Sequence, residues 1–130
     1  MHHIPSPDNS DPSIERQIRA KGLTAPRVTP ADIDANVACI TYFTAADGCV
    51  GARVTAEHSL TPESLRLLTF CVIVLNNGFT VTGESACASP ENFDAEIGQK
   101  IAYENAKQKI WPLMGYHLKE QLFQARQEAT

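Results

Sequence analysis

The chain has 130 residues and a formal net charge of −4 at pH 7. This length suits a single domain that buries a core without help from disulfides or metal, and the acidic balance disfavours a protein that grips DNA, RNA or anionic lipid. No run approaches the roughly 18 apolar residues of a membrane helix and the start lacks a signal-peptide pattern, so we expect a cytoplasmic protein with no membrane or nucleic-acid partner.

The first residues are polar and rich in proline. Residues 1–12, MHHIPSPDNSDP, carry almost no apolar surface to bury, which predicts a disordered leader ahead of one domain at residues 13–130. A short helix is expected next, with Ser13 as its N-cap, apolar residues at helical spacing and Gly22 as its stop.

A second short helix is expected after the pair Thr29-Pro30, which combines a cap with a proline at the first helical position. Its buried face would consist of Ile33, Val37 and Ile40. A turn is expected at Asp47-Gly48. Residues 49–66 fit a weak edge strand as well as an irregular loop.

A hairpin is the clearest element of the sequence, over residues of about 67–86. The apolar run LLTFCVIVL has strand length, and Asn76-Asn77-Gly78 supplies residues that tolerate the positive φ of a tight turn. In the returning strand, Phe79 and Val81 alternate with threonines, which predicts that both face the core.

A long helix is expected over residues of about 90–125, with Ser89 as cap and a break at Trp111-Pro112, where proline removes a hydrogen bond. Steps of four and three define a helix seam: Ile97, Ile101, Glu104, Gln108, Trp111, Gly115, Leu118 and Leu122. Either the helix seam lies on the sheet, or part of it pairs with a second copy. The second alternative predicts a homo-oligomer whose interface contains Ile97, Ile101, Gln108, Trp111, Leu118 and Leu122.

These elements predict an α+β fold with short N-terminal helices, a small antiparallel sheet and a long C-terminal helix. The four cysteines have no Cys-x-x-Cys spacing, so neither a metal nor a cofactor is expected. Cys71 reads as a packed apolar residue, and Cys87 as packed or, less simply, as a reactive thiol. His58 beside Glu57 reads as a surface pair. No catalytic motif is present, and we expect no enzyme.

The segments KGLTAPRVTPADIDA and YFTAADG and the run GESACASPENFDAEIG resemble the phage gene product 49/66 family of small tailed-phage proteins. The architecture expected here is also similar to that of phage sponge proteins, which sequester cyclic ADP-ribose signals of the Thoeris defence and assemble through the C-terminal helix. The resemblance implies a non-enzymatic protein that sequesters a host defence nucleotide, either a cyclic ADP-ribose isomer or a cyclic oligonucleotide. The alternative is a host-takeover protein that contacts a host factor.

A candidate nucleotide site follows from the start of the long helix, where unpaired N–H groups attract anions. Ser89 and Asn92 would bind a phosphate there with help from Arg27, whose guanidinium can form two parallel hydrogen bonds. Phe79 or Phe93 would stack on a base. The alternative is structural: Asn92 caps the helix, Phe93 packs in the core, and Arg27 is solvated.

Overall fold

The structure, a computed structural model, describes residues 11–129. Three antiparallel strands form a sheet in the order β1-β2-β3, and helices cover one of its faces. The strands are β1 (Val37–Thr44), β2 (Leu68–Leu75) and β3 (Thr80–Ala86). The α-helices are α1 (Asp11–Ala20), α2 (Pro30–Ala35), α3 (Ala45–Gly51), α4 (Glu63–Arg66), α5 (Ala95–Gln108) and α6 (Ile110–Glu128). The predicted α+β class is confirmed. Residues 1–10 of the predicted leader lie outside the described residues.

The N-terminal half departs from the sequence predictions in three places. The first helix begins at Asp11, ahead of the predicted cap at Ser13. The second ends at Ala35, and Val37 and Ile40 belong to β1, because the β-branched and aromatic run after Asn36 pairs with β2 instead of continuing the helix. Only Ile33 of the predicted helical face is buried in α2.

The predicted turn at Asp47-Gly48 is also wrong, because both residues lie inside α3. Thr44 and Asp47 form a capping box, in which each side chain accepts a hydrogen bond from the other residue's backbone N–H, and this box starts a helix where a turn was expected. The ambiguous residues 49–66 contain the end of α3, a 3₁₀ turn at His58–Leu60 and the short α4.

The hairpin prediction is confirmed for β2 and β3. The Gly78 N–H donates to the Leu75 carbonyl at 2.8 Å, and Gly78 takes the positive φ of 90° that ends the three-residue turn. Val81 is buried as predicted, but Phe79 lies before the strand and is 55% exposed, so its predicted place in the core is wrong.

Helix α5 lies on β2 and β3 through its smallest side chains. Gly98, Ala102 and Ala106 are buried against the sheet, and Gly83 of β3 gives the helix backbone room to approach. Ile97 and Ile101 are instead 56% and 47% exposed. The interpretation that the helix seam lies on the sheet is therefore wrong for these turns, because the close approach selects small residues one position further along.

The hydrophobic core combines residues of the sheet with residues of α2, α5 and α6. Its buried members are Ile33, Cys71, Ile73, Leu75, Val81, Ala102, Ala106 and Ile110. Cys71 is packed as predicted, and its burial raises the pKa of the thiol. Asn105 and Lys107 add polar ties, since the Asn105 amide donates to the Glu84 carbonyl at 2.9 Å and Lys107 lies 3.6 Å from Asp34.

The C-terminal helix is long and bent, as predicted, although its landmarks differ. Ser89 precedes a 3₁₀ turn, while Asp94 caps α5 by accepting a hydrogen bond from the Ile97 N–H at 3.0 Å. The break falls at Lys109, two residues before Trp111. It places Pro112 in the first turn of α6, where a missing N–H costs no hydrogen bond. Within the described residues, no helix is long and apolar enough to cross a membrane.

We call the side of the sheet opposite α5 the open face. Strand register places its side chains in rows of three across β1, β2 and β3. The rows are Cys39–Val74–Thr80, Thr41–Val72–Thr82 and Phe43–Phe70–Glu84, followed by the pair Leu68–Ala86. The rings of Phe43 and Phe70 pack with their centroids 5.5 Å apart.

Candidate functional site

Arg27 lines three clefts. One, of about 470 Å³, is formed by the segment between α1 and α2, and the other two also contain Val28. The polar cleft, of about 420 Å³, lies between α2, the hairpin turn and α6, and its lining includes Asp32, Asn36, Asn76, Met114, His117, Leu118 and Gln121. The apolar cleft, of about 430 Å³, lies between α1 and the junction of α5 and α6, and its lining includes Ile14, Glu15, Ile18, Pro30, Gln108 and Trp111.

Arg27 is held between the clefts by a carboxylate of α1. Its Nη1 and Nη2 donate to Oε1 and Oε2 of Glu15, the second at 3.0 Å, and the two side chains are only 28% and 16% exposed. The hydrogen bond lowers the pKa of Glu15 and raises that of Arg27. A guanidinium has five N–H donors. Because Glu15 uses two of them, Arg27 can also donate to a ligand oxygen.

The polar cleft surrounds Arg27 with amides, an imidazole and the carboxylate of Asp32. Asn36 caps the end of α2 and joins the hairpin turn, because its Oδ1 accepts from the Asn76 N–H at 3.3 Å. The Asn76 amide donates to the Ala35 carbonyl at 2.9 Å, which fixes its orientation. His117 extends from α6 on the other wall. Such a wall of amides and an imidazole suits a polar ligand that carries negative charge near the arginine.

The apolar cleft has a different chemistry. Ile14 and Ile18 of α1 line this cleft together with Trp111 from the first turn of α6. The Gln108 amide at the rim carries both a donor and an acceptor. This arrangement accepts a flat apolar group beside a cation.

The predicted site residues are not brought together within one chain. Asn92 and Phe93 line a separate cleft of about 120 Å³ at the start of β2, whereas Arg27 lies near Asn76, beyond the end of β2. These ends are roughly 23 Å apart at the ordinary rise of a strand. Ser89 lies near the small cleft, and its carbonyl accepts from the Asn92 N–H at 3.0 Å. Phe79 is exposed at the hairpin turn.

Sequence reasoning missed the roles of Glu15 and His117 at the clefts and assigned Trp111 and Gln108 only to an oligomer interface. The sequence contained one indication of the site. Arg27 lies in a segment between two predicted helices, where a long cationic side chain can reach several surfaces. Glu15 is twelve positions away, and no periodicity connects the two.

A second polar cluster involves His58. Its Nε2 lies 2.6 Å from Oδ1 of Asp47, whereas the neighbouring Glu57 accepts from Ser59. Glu57 and His58 are both exposed, as predicted for surface residues, and they take different partners. The Thr44 backbone and then His58 lower the pKa of Asp47. Both side chains are about half exposed, and the pair ties the 3₁₀ turn to α3. In the described part of the chain, no group of acids, histidines and cysteines could hold a metal.

The Glu15–Arg27 pair predicts a pH dependence of α1 docking. The folded pKa of Glu15 lies below its ordinary value of 4.5, so its contribution is present above that value and is lost as pH falls through the folded pKa. The emission maximum of Trp111, the single tryptophan, should shift to the red in this range, and Glu15→Gln should already be shifted at pH 7. Identical titrations of the two proteins would contradict the coupling.

Comparison with known proteins gives one family match. The sequence profile of the family described as "Phage protein (N4 Gp49/phage Sf6 gene 66) family" matches residues 28–122, which include β1 to β3, α5 and most of α6. No curated protein and no solved structure matches the chain significantly.

Proposed function

Because the chain belongs to the Phage protein (N4 Gp49/phage Sf6 gene 66) family, we propose that it is a phage protein that binds and sequesters a signalling nucleotide of the host cytoplasm. The observation that carries the proposal is the position of Arg27, which lines a polar and an apolar cleft at once. A nucleotide has the matching halves, since its base is flat and its phosphate is anionic. Each cleft also falls within the usual range of about 300–1,000 Å³ for ligand sites.

In the proposed complex, a phosphate lies in the polar cleft and accepts hydrogen bonds from Arg27 and His117. The base enters the apolar cleft and stacks on Trp111, with the Gln108 amide at its edge. Cyclic ADP-ribose isomers and cyclic oligonucleotides combine these groups in a compact ring. In this complex Asn92 does not contact the nucleotide. It would do so only in an assembly in which Arg27 of one copy lies at the small cleft of another.

The lining supports binding without chemical change. Among the described residues that line the two clefts, the polar side chains other than His117 are amides, carboxylates, the Trp111 indole and the guanidinium, with no hydroxyl or thiol nucleophile. Sequestration needs only a site that holds the nucleotide and protects it. A ligand released after binding should therefore be intact.

Calorimetry with cyclic ADP-ribose isomers and cyclic oligonucleotides tests the proposal. At least one should bind, and Arg27→Ala should weaken it about 10- to 100-fold, the range for a hydrogen bond to a charged group. Arg66→Ala is the matched control, since Arg66 is an exposed arginine of α4 that lines neither cleft. Mass spectrometry of the released ligand checks that it is unchanged.

Two further variants locate the site. Glu15→Gln should bind more weakly than the wild type, because loss of the Glu15–Arg27 pair loosens α1, whose Ile14 and Ile18 line the apolar cleft. Asn92→Ala should bind normally if the clefts at Arg27 form the site, and should lose binding if the site is shared between copies. Absence of binding across the panel, equal losses in the two arginine variants, or a hydrolysed ligand would refute sequestration.

The second candidate is a host-takeover protein that contacts a host factor, and α6 favours it. Beyond the sheet this helix exposes Leu113, Tyr116 and Phe123, and Tyr116 is 73% exposed. Spacings of three and seven place these side chains along one stripe, as in helices that insert into a partner's groove. A failed nucleotide panel would leave this function as the better account of the molecule.

The homo-oligomer predicted through the helix seam remains a prediction. Ile97, Ile101, Gln108 and Leu122 are exposed, while Trp111 and Leu118 are half-buried in the two clefts. An oligomer built on this seam would cover the apolar cleft from outside. The alternative interface is the open face of the sheet.

A further inference from the structure

We propose that the open face is the interface of a homodimer in which two copies stack sheet against sheet. This inference does not depend on nucleotide binding, because the open face lies on the side of the sheet opposite α5 and contains no residue of either cleft.

The first observation is that the chain exposes too much surface for a monomer. Its accessible area is 9388 Å² at a mass of 14.2 kDa, and a folded monomer of that mass exposes about 6,800 Å². Even if the residues outside 11–129 accounted for the surface of a fully extended chain, about 1,800 Å², an excess of about 800 Å² would remain. One partner of a standard interface buries about 800 Å².

The second observation is an apolar centre on the open face. The central strand contributes Leu68, Phe70, Val72 and Val74 to the open face, and all four are only partly buried, between flanking strands. Phe43 extends the apolar surface onto β1, where it is 37% exposed. Thr41, Thr80, Thr82 and Glu84 are the polar flanking positions, so the apolar centre has polar groups along both sides, a usual pattern of an interface.

The charge of the open face indicates a second copy as the partner. The chain carries 15 acidic and 11 basic residues, yet the strand rows contain a single charge, Glu84, at the outer end of its row. Two open faces can therefore meet without like charges at the centre, although the chains repel overall. Because the rows contain no basic residue, the open face does not suit the phosphates of a nucleic acid or an anionic lipid.

The rows also fit the geometry of stacked sheets. Two antiparallel sheets pack about 10 Å apart with strands within about 30° of each other. The row Thr41–Val72–Thr82 crosses the middle of the open face, so a two-fold axis near Val72 would set apolar centre on apolar centre. The product is a six-stranded sandwich with α5 of each copy on the outside.

Size-exclusion chromatography with light scattering tests the proposal on the full chain. At tens of micromolar, the mass should be about twice 14.2 kDa. The double variant Thr41→Glu, Thr82→Glu places charges at two exposed positions beside Val72 and should raise the dimer Kd at least 100-fold. The control is Ile97→Glu, Ile101→Glu, which charges exposed positions of the helix seam and should leave the dimer intact.

A second measurement reports on the interface without mutation. Cys39 lies in the first row of the open face, so its alkylation should be slow at tens of micromolar and at least tenfold faster after dilution below the dimer Kd. Cys87, away from the strand rows, serves as the internal reference. Circular dichroism establishes that each variant is folded.

Three outcomes would overturn the proposal. The wild type could be a monomer at these concentrations. The helix-seam variant could dissociate while the open-face variant stays dimeric, which would place the interface on α5 and α6. Cys39 of the wild type could also react equally fast at high and low concentration, in which case the open face is uncovered and available to a host protein.

Discussion

Replacing Gly83 with alanine is expected to lower the free energy of unfolding by about 3 kcal/mol or more. A Cβ at this position would lie 2.3 Å from the Ala102 carbonyl oxygen and 2.3 Å from the Ala106 nitrogen. Both are backbone atoms of α5, so no side-chain rotation relieves the clash and the whole helix must move from the sheet. Domains of this kind have only about 5–15 kcal/mol of stability to lose.

Gly115→Ala is the matched control for this prediction. Gly115 lies inside α6, and a Cβ there meets nothing within 4 Å. The substitution should therefore stabilise the helix by up to about 1 kcal/mol, the difference in helix propensity. Urea denaturation followed by circular dichroism compares the two. A Gly83→Ala protein as stable as the wild type would mean that α5 does not approach β3 so closely.

Truncating Ile110 to alanine is expected to cost about 3 kcal/mol, within the range for large-to-small changes in a core. Ile110 is fully buried, and it is the one buried residue of α6 in the described chain. The cavity would remove the anchor at the helix break. Since Met114, His117 and Leu118 of α6 form a wall of the polar cleft, the same variant should bind nucleotide more weakly.

Ile97→Ala tests whether burial is the cause. The residue type and the atoms removed are the same, but Ile97 is exposed in the first turn of α5. Its truncation should change the free energy of unfolding by about 0.5 kcal/mol or less. Equal losses from the two isoleucines would show that Ile110 is not the anchor of α6.

The elements that were predicted correctly are those determined by residues close together in the sequence. The hairpin follows from an apolar strand next to Asn77-Gly78, and the bend follows from a proline that cannot continue a helix. The β1 strand was missed because Ile33, Val37 and Ile40 also fit a helical period. Pairing with β2, more than thirty residues later, decides between the two structures.

The helix seam and the site were harder to predict for the same reason. Ile97 and Ile101 are the obvious apolar residues of α5, but Gly83, which is distant in sequence, admits the helix backbone and selects Ala102 and Ala106 instead. Arg27 was identified from its residue type. Its position between two clefts depends on the contacts of α1, α2 and α6, which no spacing in the sequence reports.

The unequal lengths of the two strand connections have a consequence for folding. Residues 76–78 join β2 to β3, whereas residues 45–67 separate β1 from β2. Closing a longer loop costs more chain entropy, and local contacts form faster than distant ones. We expect the hairpin and α5 to assemble first and β1 to dock last, which pulse-labelled hydrogen exchange would show as late protection of β1 amides. Until β1 arrives, β2 presents an unpaired edge, and the refolding chain is then most prone to aggregate.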